Sequence, residues 1–258
     1  MTAGSRLVLV TGATSGIGAA IAQAFATQGA SVTATGATAA KLESARAKPG
    51  MHPVTLAQLD VRDAAAVNSL VQGRCDWDVV VNCAGVIRRG VEYDPVAFAE
   101  VLDINLTGTM RVCAAAHAVL SRQRGCIVNT ASMLSFCGSG QVPGYSASKG
   151  GVARLSKSLA IAYAADGIRV NAVAPGWIAT PLTQALQEDP ARSGPILART
   201  PMGHTRRCGR TGAPSGKPAG LLRYRRGTSS GRWLPLELTH RPSARASQPP
   251  STLRRTLP

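Results

Sequence analysis

Short aliphatic runs alternate with longer amphipathic stretches through the first 180 residues of the chain. "RLVLVTG", "ASVTATG", "MHPVTLAQLDV", "WDVVVNCAG", "GCIVNTAS" and "IRVNAVAPG" read as buried parallel strands, because each is β-branched and stops at Gly, Asn, Asp or Ser. Between them "GIGAAIAQAFATQG", "AKLESARAK", "DAAAVNSLVQ", "VAFAEVLDINLTGTMRVCAAAHAVLSRQ" and "YSASKGGVARLSKSLAIAYAADG" carry helical patterning. The alternation predicts an α/β fold: a doubly wound parallel sheet covered by helices on both faces, with right-handed crossovers. Sheets of this kind take ligands outside the carboxyl ends of their strands, where the strand order reverses.

The pattern stops after "RTPMG", which ends at Gly203. Residues 204–258 are rich in Arg, Pro, Ser and Gly and show no sustained period of 2 or 3.6. Such a composition buries too little apolar surface to offset the entropy of ordering it, which predicts an irregular or disordered tail. The expected organisation is therefore a folded α/β domain over 1–203 and a tail over 204–258.

Composition adds boundaries to this picture. A chain of 258 residues with 45% hydrophobic content is long enough for a substantial core. No apolar run reaches the roughly 18 residues of a membrane span, and the first run is too short for a signal segment. A cytoplasmic protein without a membrane partner is expected. Cysteines 75, 83, 113, 126, 137 and 208 form no CxxC pair and have no histidine at metal spacing. They are expected to be buried thiols in a reducing compartment, with no metal site. The net charge of +16 is concentrated at one end: residues 203–258 hold 12 Lys and Arg against Glu237 alone. That leaves the first 202 residues with 17 basic and 12 acidic side chains, only mildly positive. Clustered arginines suit nucleic acid, but this tail offers only Tyr224 and Trp233 for base stacking, so a nucleic-acid partner is not the expected reading.

Candidate chemistry starts at "TGATSGIG", Thr11 to Gly18, which follows a strand and opens a helix. Glycines there let the turn close and let a pyrophosphate approach the backbone, while the helix N-terminus supplies partial positive charge. In this context the loop predicts dinucleotide binding, with Gly12, Gly16 and Gly18 in GxxxGxG spacing. The end of the second strand should read the adenosine ribose. An acid there would favour a 2′-hydroxyl and an arginine a 2′-phosphate. Gly36 and Ala37 are neither, and Ser15 stands where a basic residue could have favoured the phosphate. NAD and NADP both remain open. Further on, Tyr145 precedes Lys149 by four positions, one helical turn, which puts a phenol and an ammonium on one face. A phenol titrates near about 10, and a neighbouring cation, with an oxidised nicotinamide adding its own charge, favours its phenolate and brings it toward the working range.

TGxxxGIG, "NCAG" (82–85), "DINLTG" (103–108), "IVNTAS" (127–132), Tyr145-x-x-x-Lys149 and "VAPGWIATP" (173–181) together resemble the short-chain dehydrogenase/reductase family, over residues 5–203. The resemblance implies a Rossmann-type sheet and an oxidoreductase that interconverts a secondary alcohol and a ketone with NAD or NADP. It implies Tyr145 as proton donor or acceptor, Ser132 as the hydroxyl that steadies the substrate oxygen, Asn105 as the holder of a relay water, and Lys149 as a contact of the nicotinamide ribose. Gly12, Ser15, Gly16, Ile17 and Gly18 would line the pyrophosphate side, Asp60 and Val61 the adenine, and Asn82, Ala84 and Gly85 the adenosine ribose. Pro175, Gly176, Ile178 and Thr180 would shape the nicotinamide pocket. The family also implies a homodimer or homotetramer.

"NCAGVIRRG", "NTASMLSFCGSGQVPGYSASKGG" and "PGWIATPLTQALQEDPARSGPILARTPMG" are similar to the sugar-acid branch of that family, the 2-keto-3-deoxygluconate and gluconate 5-dehydrogenases. Arg88 or Arg89 would pair with a small-molecule carboxylate. Gln141 and Thr183 are further candidates for sugar hydroxyls. A 3-oxoacyl carrier-protein reductase shares the core motifs and is the alternative activity. An inactive relative is a third reading, because the family's usual last helix and a strand ending V-D-G-G do not follow "RTPMG". A shift of reading frame near codons 203–206 would account for that break, and a missing last strand would leave the sheet with an unpaired edge.

Overall fold

The computed structural model describes residues 5–198 and, by backbone alone, Arg206 and Arg207. They belong to one compact unit, Met1–Leu222; a second, Arg223–Pro258, lies wholly outside the described residues. Apart from the backbone of that dipeptide, so do the predicted tail and Cys208.

All six expected strands form: β1 (Leu7–Thr11), β2 (Ser31–Gly36), β3 (Thr55–Gln58), β4 (Val79–Asn82), β5 (Cys126–Thr130) and β6 (Arg169–Val173). They join as one parallel sheet in the order β3-β2-β1-β4-β5-β6, so β1 lies inside it and the order reverses there. Val8 pairs with Val32 of β2 on one side and Val79 of β4 on the other. The helices are α1 (Gly16–Thr27), α2 (Ala39–Arg46), α3 (Ala64–Gln72), α4 (Pro95–Leu102), α5 (Gly108–Gln123) and α6 (Pro143–Ala162). Beyond β6 come a two-residue strand β7 (Ile178–Ala179), the short helices α7 (Gln184–Gln187) and α8 (Pro190–Ala198), and β8 (Arg206–Arg207), which pairs parallel with β7.

Strand alternation splits the core into two layers. Val8 and Val10 point to one face and meet Ala19 and Ala22 of α1, while Leu9 points to the other. There it joins Val67 and Val71 of α3, Val112, Ala116 and Leu120 of α5, and Leu159 of α6. Continuous Val-rich strands result from this double coverage.

The stretch read as one long helix from Val96 is broken in register but not in direction. Asp103–Thr107 forms a π-helical turn between α4 and α5, closed by the Gly108 N–H donating to the Asp103 carbonyl. Exposure of the cysteines corrects the expectation of buried thiols: Cys113 is fully buried, but Cys75 and Cys137 lie at the surface.

Candidate active site

The carboxyl ends of β1, β4, β5 and β6 bring the motifs together. Between β1 and α1 the glycine loop closes on β4's end: Gly12 has φ +62°, and a Cβ on it would lie 2.5 Å from the Ala84 Cα. No side chain except hydrogen fits there. Thr11 braces the same junction, its Oγ1 accepting from the Cys83 and Ala84 N–H groups at 3.3 and 3.4 Å. Lys48 Nζ donates to the Thr14 carbonyl at 2.9 Å from beyond α2. Ser15, the N-cap of α1, makes no side-chain capping bond, and no acid occupies the helix's first turn. The first N–H groups of α1 thus face the loop uncapped by side chains, which suits the pyrophosphate of a nicotinamide dinucleotide. Ile17 and Gly18 continue into α1, and Gly16 approaches Thr180.

Other predicted cofactor residues are placed around this loop with their side chains already engaged. Asp60 is gripped by Arg62, whose Nη2 donates at 2.6 Å. This hydrogen bond holds the Asp60 carboxyl below the usual carboxylate range. Val61 is buried in the core layer beside α5. Asn82 is 3% exposed and donates to Asn129 Oδ1 at 2.9 Å. Asn129 in turn donates to Ser156 Oγ at 3.0 Å, a polar chain that ties β4 and β5 to α6. Pro175 accepts the Met133 N–H at 3.2 Å, joining the segment after β6 to the turn after Ser132. Gly176, Ile178 and Thr180 follow on that segment.

Ser132, Tyr145, Lys149 and Asn105 converge. Along α6 the buried positions Gly144, Ser148, Lys149, Val152, Ser156 and Leu159 form one stripe, which takes the lysine inward. Lys149 is 4% exposed; its Nζ donates to the Thr130 carbonyl at 2.7 Å and lies 5.6 Å from the Tyr145 ring centroid. Burial pushes its ammonium down to about 8. Ser132 acts on the Tyr145 phenol and favours its charged form. Its hydroxyl also accepts the Leu134 N–H at 3.2 Å, within a capping box on Met133–Ser135. Asn105, in the π turn, is fully buried. It accepts the Val86 N–H at 2.8 Å and donates to the Val86 carbonyl at 2.9 Å and Ser148 Oγ at 3.0 Å. A Cβ on Gly85 would lie 3.2 Å from Asn105 Oδ1 and 3.6 Å from Lys149 Nζ, so Gly85 sits against both.

Among the protein's own groups, burial raises the Tyr145 phenol and, with the Glu92 charge, outweighs Ser132 and the Arg89 charge, which lower it; the expected lowering drew also on the charge of an oxidised nicotinamide. The two arginines also part ways. Arg88 is exposed and turns to Glu100 on α4, with Nη2 to Oε1 2.9 Å, so it does not face the phenol. Arg89 is half-buried and its charge acts on Tyr145. Gln141 stands on the rim, its carbonyl accepting the Gly90 N–H at 3.0 Å. Thr183 is not open to a sugar hydroxyl. Its Oγ1 donates toward the Ile178 and Thr180 carbonyls and accepts the Thr180 N–H at 3.1 Å and a Gln187 N–H at 2.9 Å.

Sequence reasoning missed Glu92, which is buried between the arginine turn and α6, and Lys48 beneath the glycine loop. Neither sits in a recognisable motif; a glutamate two residues before the Asp94 cap and a lysine just before Pro49 carry no periodic signal.

Residues 6–191 match the short chain dehydrogenase family. The chain is similar to cis-4-hydroxycyclohexanecarboxylate dehydrogenase of Sinomonas cyclohexanicum, 38% identical over 78% of this chain and 84% of that protein. It is equally similar to 2-dehydro-3-deoxy-D-gluconate 5-dehydrogenase of Bacillus subtilis, 38% identical over 77% of this chain and 81% of the relative. An Agrobacterium tumefaciens crystal structure with bound NADP superposes with a TM-score of 0.71, at 38% identity, over 79% of this chain and 84% of its own. Among the described residues no helix is long and apolar enough to cross a membrane. With its fold, its motifs in order and its relatives in agreement, the chain belongs to the short-chain dehydrogenase/reductase family, NAD(P)-dependent oxidoreductases.

Proposed function

We propose that the chain interconverts a secondary alcohol and a ketone on a small hydroxy or keto acid, with Tyr145 as the acid–base group. The observation that supports this reading is a half-buried arginine, Arg89, on the turn after β4, whose charge reaches the same phenol that Ser132 acts on. Both curated relatives named above carry a carboxylate in the name of their substrate, and a guanidinium recognises that group with paired hydrogen bonds.

Hydride is what a bound nicotinamide dinucleotide supplies or accepts. The glycine loop and α1's N–H groups would hold its pyrophosphate, Asp60 and Val61 its adenine, and Lys149 its nicotinamide ribose. The chain's own residues manage the proton. In reduction Tyr145 gives its phenolic proton to the substrate oxygen, and Ser132 donates a hydrogen bond to that oxygen as charge develops on it. In oxidation the Tyr145 phenolate, favoured by the Lys149 ammonium, takes the proton from the substrate hydroxyl and becomes the phenol again. Asn105 keeps the far end of the proton path in place through its π turn.

Turnover of gluconate or 2-keto-3-deoxygluconate, set against reduction of an acetoacetyl thioester, tests the substrate class. The acid is expected to be the better substrate, and Arg89→Ala should raise its KM by about tenfold or more, the scale of a charge-assisted hydrogen bond. Faster reduction of the thioester, with Arg89→Ala neutral, would replace this reading by the 3-oxoacyl reductase one.

A further inference from the structure

Among the described residues Glu92 is the only buried acid, 1% exposed, and the chemistry above makes no use of it. Its two oxygens are spent on two different elements. Oε1 accepts the Arg88 N–H and Oε2 accepts the Tyr145 N–H, each at 2.7 Å. Tyr145 is the third residue of α6, which begins at Pro143 and whose N-cap, Val142, has no side chain able to bond a backbone N–H. A carboxylate 53 positions away in sequence therefore does the work of the missing cap. Gly144 admits it: a Cβ there would stand 3.4 Å from Glu92 Oε2 and 3.2 Å from a Phe98 ring carbon.

Burying a carboxylate is costly even when both oxygens are bonded, and a Ser, Thr, Asp or Asn at position 142 would cap the helix without that cost. What a local cap could not do is fix the helix to the turn that bears the arginines. Glu92 does both. We propose that Glu92 is a positioning residue that holds the catalytic helix against the Arg88–Arg89 turn, and so sets the Tyr145 phenol relative to Arg89 and the substrate. The proposal rests on the reading of Tyr145 as the acid–base group.

Three groups act on the phenol from the surrounding elements, Ser132 after β5 and Arg89 and Glu92 on the turn after β4, while Lys149 Nζ on its own helix stands 5.6 Å from the ring centroid. Glu92 is the one whose charge opposes phenolate. Removing that charge while loosening the clamp gives a signature that a mere helix cap does not. The rate falls, yet the limb of the pH profile set by Tyr145 moves to lower pH.

The test uses the full chain and its Glu92→Gln, Glu92→Asp and Tyr145→Phe variants, with NADPH affinity read by fluorescence and alcohol oxidation read across pH. Glu92→Gln is expected to keep NADPH affinity within about twofold, lose about tenfold in kcat (about 1.4 kcal/mol of barrier) and move the limb to lower pH. Glu92→Asp keeps the charge but is one methylene too short to hold both N–H groups, so kcat should fall with the limb unmoved. It also carries the test if the glutamine variant does not fold. Wild-type kcat and limb in Glu92→Gln, or a loss of NADPH affinity in step with kcat, would overturn the proposal. Tyr145→Phe separates the two readings. An inactive Tyr145→Phe beside a normal Glu92→Gln removes only the role of Glu92, whereas an active Tyr145→Phe removes the acid–base assignment and this inference with it.

Discussion

Lys149 is a cation taken almost wholly out of water, and its energetics follow from that. The fold lowers it from 10.5 to about 8, with burial as the main cause. Between those values the unfolded chain binds more protons than the folded one, so stability rises with pH across that window. Below about pH 8 both states are charged and the full cost of burial remains. Tyr145, raised by burial, works in the opposite sense, but only above its ordinary value of 10. Urea midpoints measured from pH 8 to 9 should therefore climb for the native chain, before the buried Cys113 thiol, pushed up to about 12, begins to oppose the trend, and the climb should vanish in Lys149→Met. The pairing of Tyr145 with Lys149 was legible in the sequence because four residues make one helical turn. The direction of the tyrosine's displacement was not, since spacing reports proximity along a helix and says nothing of how much protein covers a side chain. Arg88 and Arg89 show the same limit: two identical neighbours are separated only by Glu100, twelve residues on, which claims one of them.

At the scale of elements, strands and helices were largely readable because both faces of the sheet are covered and β-branched runs end at polar residues. The π turn at Asp103–Thr107 was not, because its residues keep the apolar rhythm of the helices on either side. The polar chain across β4, β5 and α6 was also hidden, being built from residues that each look like strand-end punctuation. Asn129 sits at its centre, fully buried, and bonds both Asn82 and Ser156. Asn129→Ala should take one bond from each, leaving Ser156 its bond to the Val152 carbonyl and Asn82 its weak one to Cys113 Sγ, and cost about 0.5–1.5 kcal/mol for each bond lost, measured by urea unfolding. The register of β4 on β5, with Asn82 opposite Asn129, is what aligns the carboxyl ends that carry Ala84, Gly85 and Ser132.

For the molecule as a whole, the order β3-β2-β1-β4-β5-β6 puts the reversal, and hence the glycine loop, beside β1. A ligand bound there stabilises the whole cooperative unit. NADPH at a hundred times its Kd should add about 2.7 kcal/mol, raising Tm by several degrees in a thermal melt. Gly12→Ala should abolish that rise. The new methyl meets Ala84 and the residue is forced to φ +62°, a strain of about 1–3 kcal/mol before any clash. Domain class and ligand class could be read from the sequence because alternation and loop spacing are local. The branch motifs pointed to a sugar acid, but which arginine would face its carboxylate could not be read, because that depends on which side chains meet across the strand ends.

The interior position of β1 has a consequence during biosynthesis. As the nascent chain leaves the ribosome, Leu7–Thr11 can zip to Ser31–Gly36 early, but its other flank waits bare until Val79–Asn82 has been translated. During that interval an aliphatic strand presents open backbone donors and acceptors to any passing chain. Slow codons between Gly36 and Val79 would lengthen the exposure, and a chaperone that shields the nascent amino-terminal half would shorten it.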